Sequence, residues 1–299
     1  MNPASTPVLL VVDGTKIHDV PAVIASFRKH TEFSTFYVVC PPDVVADAEQ
    51  AVSDSSARVL VVDEELVIPG LNAAVVSEHI PAHVPGWPSR NLACWYYQQF
   101  LKMGFSRFVS GAEYYLVWDA DTFLTKPISF FKDNRVLLTA SKEYHRDYFR
   151  TIRKILPSLS IPGRSHISQH VLVRTADMSD LLEELSSHGL AWWHYVLSSM
   201  TGKSRQQFSE YETYAAYCLS RWPERYRSIW RRWFRSGTAY FGTEWRSADL
   251  SALAGLYDFI AFERWDTGSR ARRRSERRVM KDRIAAWSER NFGWTWFPR

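Results

Sequence analysis

Along the N-terminal half, short apolar runs alternate with stretches whose apolar residues recur every three or four positions. Val8-Leu9-Leu10-Val11-Val12 is a continuous, β-branched-rich run ended by Asp13-Gly14, the pattern of a strand buried on both faces. Asp19 stands as a cap before Val20-Pro21, and Val23, Ile24 and Phe27 form the apolar stripe of the helix that follows. Phe36 to Cys40 predicts a second strand, stopped by Pro41-Pro42; residues 42–52 read as a helix, and Ala57 to Val62 as a third strand ending at Asp63. Strands alternating with helices imply βαβ units and a mostly parallel sheet.

A proline-rich loop, Pro81 to Ser89, comes next. Leu92, Trp95, Tyr96, Gln99 and Met103 then fall at helical spacing, with Gly104 as the expected helix end. Tyr114 to Trp118 predicts an apolar strand running directly into Asp119-Ala120-Asp121, and Arg135 to Ala140 and His170 to Arg174 predict further strands. Asp180 to Leu185 reads as helical. Ser209-Glu210-Tyr211-Glu212 matches a capping box, after which Tyr211, Tyr214, Ala215, Cys218 and Trp222 continue as one helical face. Beyond Pro223 the pattern weakens. Ala239-Tyr240-Phe241 and Phe259-Ile260-Ala261-Phe262 read as strands, and the last thirty-five residues as a partly exposed helix.

Composition narrows the class. Of 299 residues, 46% are hydrophobic and 15% aromatic, which excludes a disordered chain. The longest apolar runs span five or six residues, against the roughly 20 that cross a bilayer. No basic segment followed by an apolar one opens the sequence, so a cytoplasmic protein is the expectation. Cys40, Cys94 and Cys218 are too few and too scattered for a disulfide framework or a zinc site. The net charge of +5 is unevenly placed: Arg221 to Arg235 carries +5 and Arg264 to Arg283 carries +6, which leaves the remainder at −6. An acidic body with a basic C-terminal third points to an anionic surface or ligand.

The chemistry concentrates after the Tyr114–Trp118 strand. Two carboxylates one residue apart arrive at a strand's C-terminal end, where open α/β sheets bind ligands. Alternation along an extended chain sends Asp119 and Asp121 the same way, with Ala120 pointing elsewhere. Paired hard oxygen ligands suit Mg²⁺ or Mn²⁺, which neutralises a diphosphate.

This arrangement resembles the GT-A fold of nucleotide-sugar glycosyltransferases. Gly86-Trp87, the Trp95-to-Lys102 stretch, Trp118-Asp119-Ala120-Asp121-Thr122 and Phe208-to-Tyr214, in that order, are similar to a bacterial glycosyltransferase-like family linked to surface-polysaccharide synthesis. The resemblance covers roughly residues 5–225 and omits the arginine-rich end. It implies one Rossmann-like α/β domain over residues 1–225, with a mostly parallel central sheet and flanking helices. Its nucleotide-binding half is about 1–125 and its acceptor half about 126–225; residues 226–299 form a basic, Trp-rich extension packed on or flanking it.

It further implies Asp121 as the direct metal ligand, with Asp119 sharing the metal or holding ribose. Asp13 and Asp63 lie beside the base and ribose, and Arg90, Gln98 and Gln99 line the same cleft. A nucleoside diphosphate-sugar, a UDP-sugar above all, is the implied donor, and a glycan or lipid-linked hydroxyl the acceptor. Many such enzymes take a third metal ligand from a late histidine, whereas the last histidine here is His194. An Asp or Glu substitutes, or Asp121 holds the metal with diphosphate and water.

In inverting enzymes a carboxylate at a helix start deprotonates the acceptor. Glu210 is the leading candidate and Glu212 the second. The capping box gives Glu212 a structural job, reaching back to the Ser209 N–H, and leaves Glu210 free to face the cleft. Pure capping by both is the competing account. Ser168-Gln169-His170 precedes an apolar strand, so His170 and Gln169 are candidates for the acceptor side, against the plainer account of a structural histidine.

Other signatures fail. Thr201-Gly202-Lys203-Ser204 lacks the first glycine of a P-loop, since Leu197 stands there. Phe123 replaces the Thr or Val of a haloacid-dehalogenase phosphatase, and Asp13-Gly14-Thr15-Lys16 is too poor in glycine for a sugar nucleotidyltransferase. The Arg264–Arg283 segment, interleaved with Trp230, Trp233, Trp265, Trp287, Trp294 and Trp296, suits the inner face of an anionic membrane first, a solvated tail second and nucleic acid third. The alternative from another class is a non-catalytic membrane- or nucleic-acid-binding protein on the same scaffold.

Overall fold

The structure is a computed structural model that describes residues 5–243, 245, 247–263 and 267–292. Its strands are β1 (Val8–Val11), β2 (Thr35–Cys40), β3 (Arg58–Asp63), β4 (Tyr114–Trp118), β5 (Thr122–Leu124), β6 (Phe131–Lys132), β7 (Arg135–Ala140), β8 (His170–Arg174), β9 (Tyr226–Trp230), β10 (Trp233–Phe234) and β11 (Phe259–Ala261). The helices are α1 (Val20–His30), α2 (Val45–Val52), α3 (Ala73–His79), α4 (Arg90–Phe108), α5 (Arg146–Ile155), α6 (Thr175–Ser186), α7 (Trp192–Ser198), α8 (Glu210–Arg221), α9 (Gly237–Phe241) and α10 (Ser269–Phe292).

The main sheet has the order β3-β2-β1-β4-β8. Its first four strands are parallel, and β8 closes the edge antiparallel to β4 with His170 opposite Trp118. Both faces are covered. Phe27 of α1 meets Trp118 edge-on at 4.8 Å and Phe36 at 5.7 Å on one side. On the other, Phe105 of α4 meets Tyr37 and Tyr115, each at 5.2 Å. This is why the strands read as unbroken apolar runs. The chain winds outward from β1 to β2 and β3, then crosses back to place β4 on the opposite side of β1. The carboxyl ends of β1 and β4 therefore flank the switch point of the sheet, the crevice where α/β folds bind ligands.

Two three-stranded sheets complete the fold. In one, β5 pairs antiparallel with β11, which pairs with β10; in the other, β7 lies between β6 and β9. Residues 226–262 thus pair directly with strands that follow β4. α10 supplies the expected C-terminal helix; Trp265, Trp294 and Trp296 lie outside the described residues.

Three local expectations are corrected. α4 runs through Gly104 to Phe108, because Gly104 is a packing glycine: a Cβ there would lie 2.5 Å from Ile68 Cγ1. Residues 239–241 are helical, in α9, which begins at Gly237 where a Cβ would meet the Ala261 carbonyl at 2.7 Å. Close approach to β11 decides that segment, not strand propensity. Asp19 precedes α1 in a helical conformation and its side chain makes no capping bond.

Candidate active site

Asp119 and Asp121 sit in a turn pinned through its backbone. The Thr122 N–H donates to the Asp119 carbonyl at 3.0 Å, and the indole N–H of buried Trp118 donates to the Thr122 carbonyl at 2.7 Å. From outside, the Asp119 N–H donates to the Gln169 carbonyl at 2.9 Å, and the Phe262 N–H to the Asp121 carbonyl at 2.8 Å. Tight chain reversal, rather than the expected strand alternation, delivers the two carboxylates to one crevice. Gln169 reaches its position with φ of +64°, a left-handed conformation costly for a side chain of this kind.

Behind the turn lies a buried ammonium. Lys102 Nζ, on α4, donates to Asp119 Oδ1 at 2.7 Å, Glu210 Oε1 at 2.8 Å and the Tyr211 hydroxyl at 3.2 Å. Tyr211 in turn donates to the same Asp119 oxygen at 2.7 Å. Burial acts to discharge Lys102, but Asp119 and Glu210 outweigh it and hold the ammonium above its ordinary pKa. Burial pushes Glu210 the other way, above the usual carboxylate range, and Lys102 opposes that push. Two carboxylates therefore share one cation.

In front of the turn, Lys16 from the loop after β1 pairs with Asp121 Oδ2. Burial again opposes its charge, yet Asp121, Asp119 and Asp13 raise its pKa. Asp121 is 7% exposed at its side chain and Asp119 22%. On the far side, Glu263 Oε1 accepts from Gln169 Nε2 at 2.6 Å and from Arg235 Nε, while its Oε2 is buried without a partner among the described residues. Burial raises the Glu263 pKa to about 7, with Arg235 opposing and Asp121 adding to the rise. Arg235 also pairs with Glu143, which accepts from His145.

The structure distributes the remaining candidates unevenly. Asp13, exposed beside Lys16, caps its own turn by accepting from Thr15 N at 2.9 Å. Asp63, at the end of β3, accepts from Glu65 N at 2.9 Å. Arg90 is exposed at the start of α4, and Gln98 is half-buried. Gln99 is buried, donates to the Trp95 carbonyl and accepts the Glu210 N–H at 3.2 Å, so it caps α8 rather than lining open space. Glu210 is bonded to Lys102 and does not face the cleft free.

Glu212 makes half of the capping box, its N–H donating to Ser209 Oγ at 3.3 Å. Its carboxylate turns away and accepts from His166 N at 3.0 Å, with Oε1 unpartnered; burial lifts its pKa to about 7. His170 is buried behind Trp118, bonded to Thr139 Oγ1 at 3.1 Å and the Ser168 carbonyl at 2.9 Å. Burial, then Arg231, lowers its pKa to about 3, so it is neutral. Lys16, Lys102, Tyr211, Arg235 and Glu263 were not singled out from the sequence. Lys102 carried a signal: it falls three residues after Gln99 on the apolar stripe of α4, where a lysine requires a partner.

Removing one member of so buried an ion cluster leaves the others uncompensated. Lys102→Met should lower unfolding free energy by about 3–5 kcal/mol in urea titrations. A loss below about 1 kcal/mol would show that the ammonium does not tie α4 to the turn and α8. Glu212 has a folded pKa above its ordinary 4.5, so the folded chain binds more protons between these values. Its contribution to stability therefore falls as pH rises from 4.5 through about 7. The urea midpoint of Glu212→Gln should gain on wild type between pH 5 and pH 8; a constant difference would contradict this origin.

In fold the chain is similar to solved glycosyltransferases. An active-site mutant of LgtC superposes with a TM-score of 0.50 at 10% identity, covering 93% of this chain and 95% of that one. The galactosyltransferase LgtC in complex with donor and acceptor sugar analogs gives 0.49 at 11% identity, covering 95% and 96%. Mouse xyloside xylosyltransferase 1, in its apo form, gives 0.48 at 12%, covering 87% and 98%. The architecture is that of GT-A glycosyltransferases, as the motifs implied. No curated protein matches the sequence. A family model, described as a family of unknown function, DUF6492, matches residues 20–236. By that match the chain belongs to the DUF6492 family.

Proposed function

We propose that this protein transfers a sugar from a nucleoside diphosphate-sugar, a UDP-sugar by preference, to a hydroxyl of a glycan or lipid-linked acceptor. Surface-polysaccharide synthesis, the setting of the family its motifs resemble, is the proposed context. The observation that carries the reading is the pair of carboxylates after β4, held at the switch point of the sheet with Lys16 on one and Lys102 on the other. Such a site can hold an anionic diphosphate only through cations that screen the two aspartates.

The donor atoms fit a hard divalent ion. Asp119 and Asp121 offer carboxylate oxygens, and the unpartnered Glu263 Oε2 lies within the field of Asp121, in place of the missing late histidine. Among the described residues no three His, Cys, Asp or Glu side chains already form a metal cage. Mg²⁺ or Mn²⁺ held there would offset the charge of the departing diphosphate. Lys16, on a flexible stem in the loop after β1, is placed to meet a phosphate beside Asp121. Asp13, Asp63 and Arg90 serve the nucleoside side. Lys102 and Tyr211 orient Asp119, and Glu210 acts through Lys102 as a positioning residue.

Peripheral membrane association is the second part of the reading. Met280, Ile284 and Trp287 are exposed at 60%, 58% and 54% and follow one another at helical spacing on α10. Exposed Arg273, Arg274, Arg277, Lys281 and Arg283 surround that stripe. Apolar residues set among cations suit an anionic lipid interface. No described helix is long and apolar enough to cross a membrane.

Thermal-shift assays with UDP, GDP, CMP and dTDP, with and without Mn²⁺, test the donor site. One nucleotide should stabilise the wild type by about 2.7 kcal/mol at 100 times its Kd, and Asp121→Asn should abolish that gain. No stabilisation by any nucleotide, or an unaltered response in Asp121→Asn, would overturn the transferase reading. Co-sedimentation with phosphatidylglycerol vesicles tests the helix. Replacing Met280, Ile284 and Trp287 together by Ser should weaken binding roughly tenfold, about 1.4 kcal/mol. Equal binding to neutral vesicles would refute the charge argument.

A further inference from the structure

A cavity of about 560 Å³ opens beside the catalytic turn, between the end of β7, the β9–β10 segment and the inner face of α10. It borders the site through Arg235, which lines it while bonding Glu263, the partner of Gln169. Its charges are not balanced. Three of its arginines have carboxylate partners on the same wall: Arg235 with Glu143, Arg232 with Glu289, and Arg278 with Asp282 at 3.8 Å. Arg231 and Lys142 also line it, and neither has a carboxylate within ion-pair distance among the described residues.

Arg231 is fixed rather than mobile. Its Nε donates to Thr139 Oγ1 at 3.2 Å, its Nη2 to the Ser129 carbonyl, and its guanidinium lies 5.9 Å from the Phe130 ring. All these contacts are to neutral groups, and Nη1 has no hydrogen-bond partner among the described residues. Burial lowers its pKa, with Asp258 opposing. Asp258 is itself engaged with Lys126 at 3.0 Å. A half-buried guanidinium held by neutral acceptors at a cavity wall is a standing demand for an anion. Trp230 and Trp233 line the same space and offer flat apolar surface of the kind that receives the C–H face of a sugar ring.

We propose that this cavity is the acceptor subsite and that it selects an anionic saccharide, one whose phosphate or carboxylate is received by Arg231 and Lys142 while its ring lies against the tryptophans. The word acceptor rests on the transferase reading; the selection for an anionic sugar rests on the cavity alone. Phosphate and carboxylate share the chemistry of a fork-shaped contact with a guanidinium. α10 supplies the outer wall, so the helix that carries the lipid-facing stripe also encloses the acceptor.

Binding of methyl glucoside, methyl glucoside 6-phosphate and methyl glucuronide, followed by saturation-transfer NMR titration, tests this. Wild type should bind at least one of the charged sugars roughly tenfold more tightly than the neutral one, and the better of the two names the anion. Arg231→Gln should erase the preference and Arg231→Lys should restore part of it. Should Arg231→Gln fold poorly, Lys142→Glu, at an exposed position, should weaken the charged sugars and leave the neutral one unchanged. Equal binding of all three by wild type, or an undiminished preference in both Arg231→Gln and Lys142→Glu, would overturn the proposal. The nucleotide thermal shift, run on the same preparations, separates the two failures. A shift without anionic preference sinks the subsite alone, and preference without a shift sinks the transferase reading while the anion site stands.

Discussion

The ammonium of Lys102 is the point on which this site is built. It joins the middle of α4, the turn after β4 and the first turn of α8, which lie more than a hundred residues apart at their extremes. Burying one cation with two carboxylates leaves excess negative charge that the interior cannot screen. Asp121 adds a third carboxylate and Lys16 a second ammonium at the mouth of the crevice, so the cluster still carries one more carboxylate than cations. One cation is buried and fixed; the other is partly exposed and on a loop. That asymmetry separates the lysine that shapes the site from the one that, on the proposed function, meets a phosphate. Tyr211, donating to the same oxygen of Asp119, completes an orientation fixed before any ligand arrives, the condition for electrostatic stabilisation without reorganisation.

A second constraint works through Gln169. Its left-handed backbone is tolerated because both ends of the residue are engaged: its carbonyl receives the Asp119 N–H, and its side chain donates to Glu263. The strain thereby couples β8 to the turn and to the segment after β11. Glu263 is drawn to the site by β11, which pairs antiparallel with β5 directly beyond Asp121. A strand formed more than a hundred residues after the aspartates thus carries the candidate third carboxylate. Its spare oxygen is buried with no partner among the described residues, an arrangement that is rare in natural interiors.

How much of this was legible follows from contact range. β1, β2 and β4 are runs of apolar residues buried on both faces, so their identity is written locally, and Asp119-Ala120-Asp121 announces itself at a strand end. β5 and β10 are two or three residues long and exist only through β11, which is distant in sequence, and β6 is a two-residue strand closed on its neighbour β7. Gly104 looked like a helix end because glycine's lack of a side chain serves termini and close packing alike; only Ile68 reveals which. Ser209 was recognisable as a cap, yet the partners of Glu210 and Glu212 were not, since Lys102 and His166 come from other elements. Lys102 falls on the apolar stripe of α4, a position that calls for a partner. Its three partners were not legible from it.

The division of charge along the sequence, acidic body and basic end, does not survive as a division in space. Arg221 pairs with Glu184, Arg225 approaches Asp177 at 3.6 Å, and Arg235 bridges Glu143 and Glu263. The first arginine cluster is largely consumed in holding β9 and β10 against the acidic half. What pairing leaves over is therefore more informative than the sum. Among the described residues, two groups of cations left over lie where a ligand or surface could meet them: Arg231 and Lys142, lining a cavity beside the site, and the exposed cations of α10 around an apolar stripe. Internal ion pairing would have been the lower-cost fate for Arg231, since burying it unneutralised opposes folding. A charge kept against that gradient, close to the carboxylates, is what the proposed transfer would use: one anion, on the donor, would be met at the turn, and a second, on the acceptor, by the arginine.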